Sequence, residues 1–450
     1  MSKRLKEPVF VECNSMLESE EVLGGDWDFV GEDTQYLTHG LHPYPARMVP
    51  QIARRLLKMY TRKNDVVLDP FCGSGGVLVE ARLAGLNSVG IDINPLACLL
   101  AEVKSNPIDP SILESWWREL QPKIAQDTNS SKNKGVAAEL IKFHKTSLRY
   151  WFKEETIREL AVIRRHIRTI EERDIRRFFA VPFSLTVRDV SGTRKNEYKL
   201  YRLPEAEWRR FQPDVLATFT KHVERSIRRM GEFYSEADKN VFSRVFLGDT
   251  RLLFTDRFPK EGNRLLKERP PKIIVTSPPY GDSRTTVAYG QFSRLPSLWL
   301  DFEPEFTREV VMSVDKLSLG GESAKRISID CETPTLAKTV EEIRGKEEKR
   351  AAEVLAYFAD LHACVKKMYD VLDDGGYCCI VIANRTVRRV VIPTHEIIVE
   401  MGAEVGFEKV AVIPRNIPTK RLPWENAPEN IPGMKGKTMS QENIIIMRKA

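Results

Sequence analysis

Residues 64–97 read NDVVLDPFCGSGGVLVEARLAGLNSVGIDINPLA. Val66 to Leu68 is the near-continuous apolar run that a strand buried on both faces requires. A glycine turn follows, then a helical stretch from Val77 to Ala84 and a second apolar strand from Ser88 to Ile91. The pattern predicts a βαβ unit, hence a parallel sheet that binds its ligand at the carboxyl ends of the strands. Asp69-Pro70-Phe71-Cys72-Gly73-Ser74-Gly75-Gly76 closes the first strand and opens the helix. Glycines there allow close backbone approach, and the helix start offers free N–H groups to a nucleotide-like ligand. No Gly-Lys-[Ser/Thr] follows, so the turn is not a P-loop. Leu78 stands where a dinucleotide fingerprint has its third glycine. Asp92 ends the next strand, 23 residues beyond Asp69, where a carboxylate can hold a ribose diol.

Upstream, Thr38 to Tyr60 is a proline-punctuated loop and then a helix with Val49, Ile52, Leu56 and Met59 at three- and four-residue steps. Residues 1–35 are acidic and mixed, and predict a loosely docked arm. Downstream, strands are expected at Val245 to Leu247, at Lys272 to Val275, after the Gly375-Gly376 turn and in NIIIMRK near the end. Between the two α/β stretches, residues 111–240 are rich in helical periodicity. Leu160, Ile163, Ile167 and Ile170 share one face there, and Arg164, Arg165 and Arg168 the other. Trp116 and Trp117 read as core. The stretch FAVPFSLTVRDVSGTRKNEYKLYRL (residues 179–203) reads as a β-rich interruption, and 303–350 as charged helix.

Hydrophobic residues make up 42% and charged residues 30%, which excludes wholesale disorder and a membrane class. No apolar run reaches the ~18 residues that span a bilayer. The start, MSKRLKEPVF, has no signal-peptide pattern, so a cytoplasmic location without membrane partners is expected. The seven cysteines are scattered and never spaced as C-x-x-C, which indicates reduced thiols and no zinc site. Cys72, inside the glycine turn, reads as a packing residue. The net charge is +7, and residues 141–240 alone hold 23 Lys/Arg against 15 Asp/Glu. A local basic excess of that kind suits a polyanion, because neutralised phosphates release counterions.

Thr276-Ser277-Pro278-Pro279-Tyr280 follows the Lys272 to Val275 strand directly. Together, D-P-F-C-G-S-G-G and S-P-P-Y resemble motifs I and IV of the S-adenosylmethionine-dependent amino-methyltransferases that modify DNA at cytosine N4 or adenine N6. His42-Pro43-Tyr44-Pro45 and its helix look like that family's motif X, Asp92-Ile93-Asn94-Pro95 like motif II, and Gly248-Asp249-Thr250 like motif III. The resemblance covers residues 38–105, 245–300 and 351–450. It implies a seven-stranded Rossmann-like α/β methyltransferase fold with an antiparallel last hairpin, built from residues 36–110 and 241–450. Residues 111–240 would be an inserted target-recognition region. Recognition regions commonly lie elsewhere in the family, so 303–350 stands as a second candidate.

The chemistry accounts for these residue types. An exocyclic amino nitrogen is a poor nucleophile because its lone pair is delocalised into the ring. Acceptors must hold its hydrogens and turn the lone pair toward the methyl group. The resemblance assigns that role to the Ser277 hydroxyl and the Pro278 carbonyl, with Pro279 rigidifying the turn and Tyr280 stacking on an extruded base. It places S-adenosylmethionine against Asp69, Phe71, Gly73 and Gly75 at its methionine end, Asp92 at the ribose and Asp249 near the adenine. His42 and Tyr44 would help close the pocket. Arg164, Arg165, Arg168, Arg284 and Arg294 are expected at DNA phosphates or the target strand. Serine at the head of the motif looks like the cytosine-N4 branch. Adenine N6, or an amino group in RNA, stands as the alternative, and a catalytically silent nucleic-acid-binding scaffold as the alternative of another class. Cytosine C5 chemistry needs a Pro-Cys pair, and no cysteine here follows a proline. Duplex DNA is the expected partner. A companion restriction endonuclease, the recognition sequence and the oligomeric state are left open.

Overall fold

The computed structural model describes residues 25–128, 130, 148–195, 197–282, 286–321, 333–417, 425–426, 436–437 and 440–450. Seven strands form one sheet: β1 (Val66–Asp69), β2 (Asn87–Asp92), β3 (Ser243–Leu247), β4 (Ile273–Thr276), β5 (Tyr377–Ile382), β6 (Phe407–Asn416) and β7 (Gln441–Lys449). Their spatial order is β3-β2-β1-β4-β5-β7-β6. The pairs along β3-β2-β1-β4-β5 are parallel, and β7 runs antiparallel to both β5 and β6. Strands β1, β4 and β5 are buried throughout, as their unbroken apolar runs require. Chain order reverses between β1 and β4, and the crevice at that reversal is where such sheets bind ligands.

Helices α1 (Pro50–Tyr60), α2 (Gly76–Leu83) and α3 (Pro95–Ser105) flank the first strands. Asn94 caps α3 by accepting the Leu96 N–H at 3.1 Å, and Pro95 supplies the preset φ of a first helical residue. The intervening region folds as α4 (Pro110–Thr128), α5 (Glu154–Arg168), α6 (Arg173–Asp189) and α7 (Val215–Glu236). Its core is continuous with the catalytic fold. Trp117, Leu160, Ile163, Phe179, Phe183 and Phe219 join Leu96 and Leu99 of α3 in one apolar cluster. Trp117 meets Phe219 edge-on at 5.7 Å.

Three expectations are corrected. The β-rich reading of 179–203 fails over its first half, where α6 runs to Asp189. Phe178, Phe179, Val181, Phe183, Leu185 and Val187 are buried around the whole helix. A helix buried on every side carries no apolar stripe, so its β-branched and aromatic residues mimic a strand. Only the Thr193↔Arg202 bridge remains of the hairpin. The arm is not loose from residue 25 onward. Trp27 is buried beneath the Arg55 guanidinium, and the Asp28 carboxylate accepts the Asn416 backbone N–H at 2.6 Å and its Nδ2 at 2.9 Å. Residues 1–24 lie outside the described residues. Within 303–350, Leu336, Val340 and Ile343 pack in the apolar cluster that contains Leu68, Ile274 and Ile380. That helix therefore belongs to the support of the sheet. No helix among the described residues is long and apolar enough to cross a membrane.

Candidate active site

The glycine turn is held from both sides by carboxylates. Asp69 Oδ1, at the end of β1, accepts Thr276 Oγ1–H at 2.6 Å and the Phe71 N–H at 3.1 Å, which ties β1 to β4 across the crevice. Asp92 Oδ2 accepts the Gly73 N–H at 2.9 Å, and its Oδ1 the Asn94 N–H at 2.8 Å. Gly73 and Gly75 have φ of 48° and 82°, the left-handed region that favours glycine. At Gly75 a Cβ would lie 2.6 Å from the Ala101 Cα, so α2 reaches α3 only without a side chain there. Above Gly73 lies Tyr44, whose ring a Cβ would meet at 3.4 Å. The Tyr44 hydroxyl accepts Asn94 Nδ2–H at 3.0 Å. Tyr289 stacks on Tyr44 at 6.0 Å and Phe292 meets it edge-on at 5.8 Å, making an aromatic wall beside the turn.

His42 is fully buried behind that wall. Its Nδ1 lies 2.5 Å from the Pro43 carbonyl, its ring faces the edge of Phe292, and burial holds it neutral. Phe71 packs partly buried over the turn. Asp249 sits just past β3, where its carboxylate accepts Arg251 Nε–H at 2.9 Å, and Arg251 pairs onward with Asp360 at 2.6 Å. Asp249 thus stands where expected, with its charge already answered. Thr250, to which the sequence pattern assigns no role of its own, donates to the Pro70 carbonyl at 2.6 Å and joins motif III to the turn. Burial pushes the Cys72 thiol well up, in keeping with a packing role.

Across the crevice, Ser277 Oγ–H points to the Val381 carbonyl at 3.0 Å, and Ser277 Oγ lies 3.3 Å from the Tyr280 hydroxyl. The serine is the donor toward both oxygens, so its own lone pairs stay available as acceptors. Pro278 is buried. The Pro279 carbonyl accepts Tyr357 O–H at 2.6 Å, which fixes the turn from below. Tyr280 O–H donates to Glu442 Oε1 at 2.9 Å. The following loop is anchored by the buried Asp282–Arg385 pair at 3.3 Å. Tyr357, Arg385 and Glu442 carry no local sequence signature, and only the fold brings them here.

The arginine assignments change most. Arg164 is buried, and its Nε–H donates to Asp301 at 2.9 Å. Arg176 pairs with Glu303 at 2.5 Å, and Arg177 with Glu102, Glu303 and Glu305. The acidic run Asp301-Phe302-Glu303-Pro304-Glu305 therefore takes up Arg164 together with its neighbours Arg176 and Arg177, and Arg164 is a structural ion pair and no phosphate contact. Arg165 pairs with Asp127 at 2.5 Å and Arg294 with Asp315 at 3.3 Å. Arg168 is exposed, and Arg284 lies outside the described residues.

The open sheet with its reversed β7, the glycine turn braced by two strand-end aspartates and the opposing Ser-Pro-Pro-Tyr turn together define a Rossmann-like methyltransferase. A DNA methylase family profile, N6_N4_Mtase, matches residues 7–103. The chain is 36% identical over 431 residues to the Type II methyltransferase M.MvaI of Kocuria varians, which covers 93% of each protein. It is 34% identical over 152 residues to the Type II methyltransferase M.MjaII of Methanocaldococcus jannaschii, 32% of this chain and 28% of that one. A segment of 52 residues is 46% identical to the tRNA (guanine(10)-N2)-dimethyltransferase of Methanothermobacter thermautotrophicus, 11% of this chain and 16% of that one. The chain belongs to the N4/N6 DNA amino-methyltransferase family, and S-adenosylmethionine is its methyl donor.

The residues present fit that cofactor. The Asp92 carboxylate accepts backbone N–H groups of Gly73, Asn94 and Ile93, which still leaves a lone pair for a hydroxyl of the cofactor. At Gly76, where α2 begins, a Cβ would meet nothing within 4 Å, so the helix start is open to a ligand. Burial raises Asp69 to about 7 and Asp92 to about 6. Both carboxyls therefore bind protons more tightly in the folded chain than in the unfolded one. Their contribution to stability is fullest below about pH 4 and is lost as pH rises through their folded values. An ionised Asp92 is the form that accepts hydroxyl donors most strongly. Thermal scans between about pH 5 and 8 are thus expected to show the free protein losing stability while the shift induced by S-adenosylmethionine grows.

Proposed function

We propose that this enzyme transfers the methyl group of S-adenosylmethionine to the exocyclic N4 of cytosine in duplex DNA, acting on a base turned out of the stack. The observation that carries the reading is the Ser277 hydroxyl, which donates to the Val381 carbonyl and so keeps its lone pairs for accepting. Ser277 Oγ and the Pro278 carbonyl hold the two amino hydrogens, so the nitrogen lone pair points toward the glycine turn. One of those protons leaves to solvent once the new N–C bond has formed. Asp69, Phe71, Gly73 and Gly75 seat the methionine end of the cofactor, Asp92 the ribose, and Asp249 borders the adenine, while Tyr44 closes the pocket with His42 behind it. Tyr280 gives the base a flat apolar partner. The cofactor supplies an activated methyl on a sulfonium, so alignment of nitrogen, methyl and sulfur accounts for much of the rate, with a ceiling of ~7–11 kcal/mol.

Residues 111–240 form the target-recognition region in this reading, and its DNA-facing part is the strap 193–202 in place of Arg164. Lys195 and Lys199 lie there beside Arg194, which meets Glu197 at 3.5 Å, and Arg202, which meets Glu205 at 3.6 Å, and Tyr198 and Tyr201 are each more than 40% exposed. The strap lies beside the catalytic helix α8 (Tyr289–Trp299). Its Leu200 N–H donates to Gln291 at 3.2 Å, and Tyr198 lies 6.1 Å from Phe292. Arg194→Ala with Lys199→Ala is expected to weaken DNA binding and to lower the slope of log K against log salt by about 1 for each phosphate no longer neutralised. An unchanged slope in a filter-binding titration would remove the strap from the interface. A companion restriction endonuclease belongs to the same reading, supported by the likeness to Type II methyltransferases.

Incubation with methyl-labelled S-adenosylmethionine and mixed-sequence duplex DNA, followed by nucleoside mass spectrometry, tests the target base. Labelled N4-methylcytosine is the expected product, and N6-methyladenine in its place would overturn the base assignment.

A further inference from the structure

Tyr280 and Ser277 stand at the inner end of a hydrogen-bonded chain that no motif announces. Tyr280 O–H donates to Glu442 Oε1 at 2.9 Å, and the other Glu442 oxygen pairs with Arg415 Nη1. Arg415 is buried. Its Nε–H donates to the Trp27 carbonyl at 2.9 Å and its Nη2–H to the Asp28 carbonyl at 3.2 Å. The chain therefore runs from the N-terminal segment through β6 and β7 to the catalytic turn.

We propose that Glu442 and Arg415 are positioning residues that turn the Tyr280 hydroxyl proton away from Ser277 and so keep the serine an acceptor for the substrate amino group. The proposal rests on the acceptor role of Ser277 given above. A phenol has one proton, and here it goes to Glu442 Oε1 at 2.9 Å while the Tyr280 oxygen accepts Ser277 Oγ–H at 3.3 Å, so a phenol proton turned the other way would meet the serine. A carboxylate paired with a guanidinium can only accept from Tyr280, so the proton lies on that side. Burial pushes the Tyr280 phenol well above its ordinary range, so the proton is present at every working pH. Without the carboxylate the phenol would donate to Ser277 Oγ, taking one of its two lone pairs and making that oxygen a weaker acceptor for the amino hydrogen it holds.

Glu442→Gln isolates this effect. Arg415 has donors only, so the single amide oxygen turns to Arg415 and the NH2 faces Tyr280, which sends the phenol proton to Ser277. Single-turnover methylation of mixed-sequence duplex DNA by the full chain at saturating S-adenosylmethionine should be about tenfold slower, the loss of one hydrogen-bond acceptor. The dissociation constant for S-adenosylmethionine should stay within about twofold, because neither residue touches the glycine turn. Tyr280→Phe keeps the ring but loses its anchor and should itself be a few-fold slower. In that background Glu442→Gln should cost nothing further, because no phenol proton is left to misdirect.

Glu442→Asp keeps the charge on Arg415 and draws the carboxylate back from Tyr280. It gives a second comparison should the glutamine variant fold poorly, with the same slowing and the same cancellation expected. Wild-type speed in Glu442→Gln, or an equal loss with Phe at 280 as with Tyr, would overturn the proposal. A wild-type chain that methylates no DNA would instead sink the function on which it rests, and the two failures are distinguished by that first control.

Discussion

Ser277→Ala is expected to slow methyl transfer about 100-fold, comparable with removing one preorganised group at a transition state, while S-adenosylmethionine binds nearly as before. The amino nitrogen must shed its conjugation with the ring as it attacks, and its hydrogens become more acidic as positive charge builds on nitrogen. An acceptor fixed beside them is therefore worth more in the transition state than in the ground state, which is the condition for an effect on turnover. Ser277 is fixed because its own proton is held by the Val381 carbonyl on β5. Alanine leaves that carbonyl without this donor, a cost to stability of about 1–3 kcal/mol that bears on folding and leaves the cofactor pocket in place. Single-turnover rates and a cofactor titration on the same preparation separate the two. A variant that methylates at the wild-type rate, or that loses the cofactor instead, would show that Ser277 has been given the wrong role.

Asp69→Ala is expected to act in the opposite way and weaken S-adenosylmethionine binding by about 30- to 100-fold, or ~2–2.7 kcal/mol. Two buried donors, Thr276 Oγ1 and the Phe71 N–H, converge on one oxygen of Asp69, and alanine strands both. The glycine turn then loses one of its two braces and β1 its side-chain link to β4. Asp69→Asn separates charge from shape. It keeps an acceptor for Thr276 but carries no charge, and because burial already raises Asp69 to about 7, the neutral side chain should make the free protein more stable above that pH. Weaker cofactor binding together with a higher Tm in Asp69→Asn would assign the carboxylate to the ligand. Unchanged binding in both variants, measured by calorimetry, would leave Asp69 a strut of the sheet alone.

Much of this site was legible in the linear chain because its parts are local. A strand, a glycine turn and a helix start must be contiguous, so residues 66–76 announce a ligand-binding turn. Ser277 to Tyr280 is contiguous for the same reason, since the proline pair sets the backbone that presents the serine. The errors arose where local pattern carried no information about partners. Arg164 reads in the linear chain as a phosphate contact on a basic face, yet Asp301 lies against it, as Glu303 and Glu305 lie against Arg176 and Arg177. Helix α6 looked like strands because burial on all sides erased its stripe.

The sequence by itself determined the parallel strands, the glycine turn and the Ser-Pro-Pro-Tyr turn, each of which is specified by residues within one turn or strand of one another. The tertiary structure alone decided which charges are available to a substrate and how the catalytic tyrosine is held. Tyr280 meets Glu442 across 162 positions and Arg164 meets Asp301 across 137. Pairings of that range depend on which faces of distant elements the packed core brings together, and no local pattern of residues encodes that.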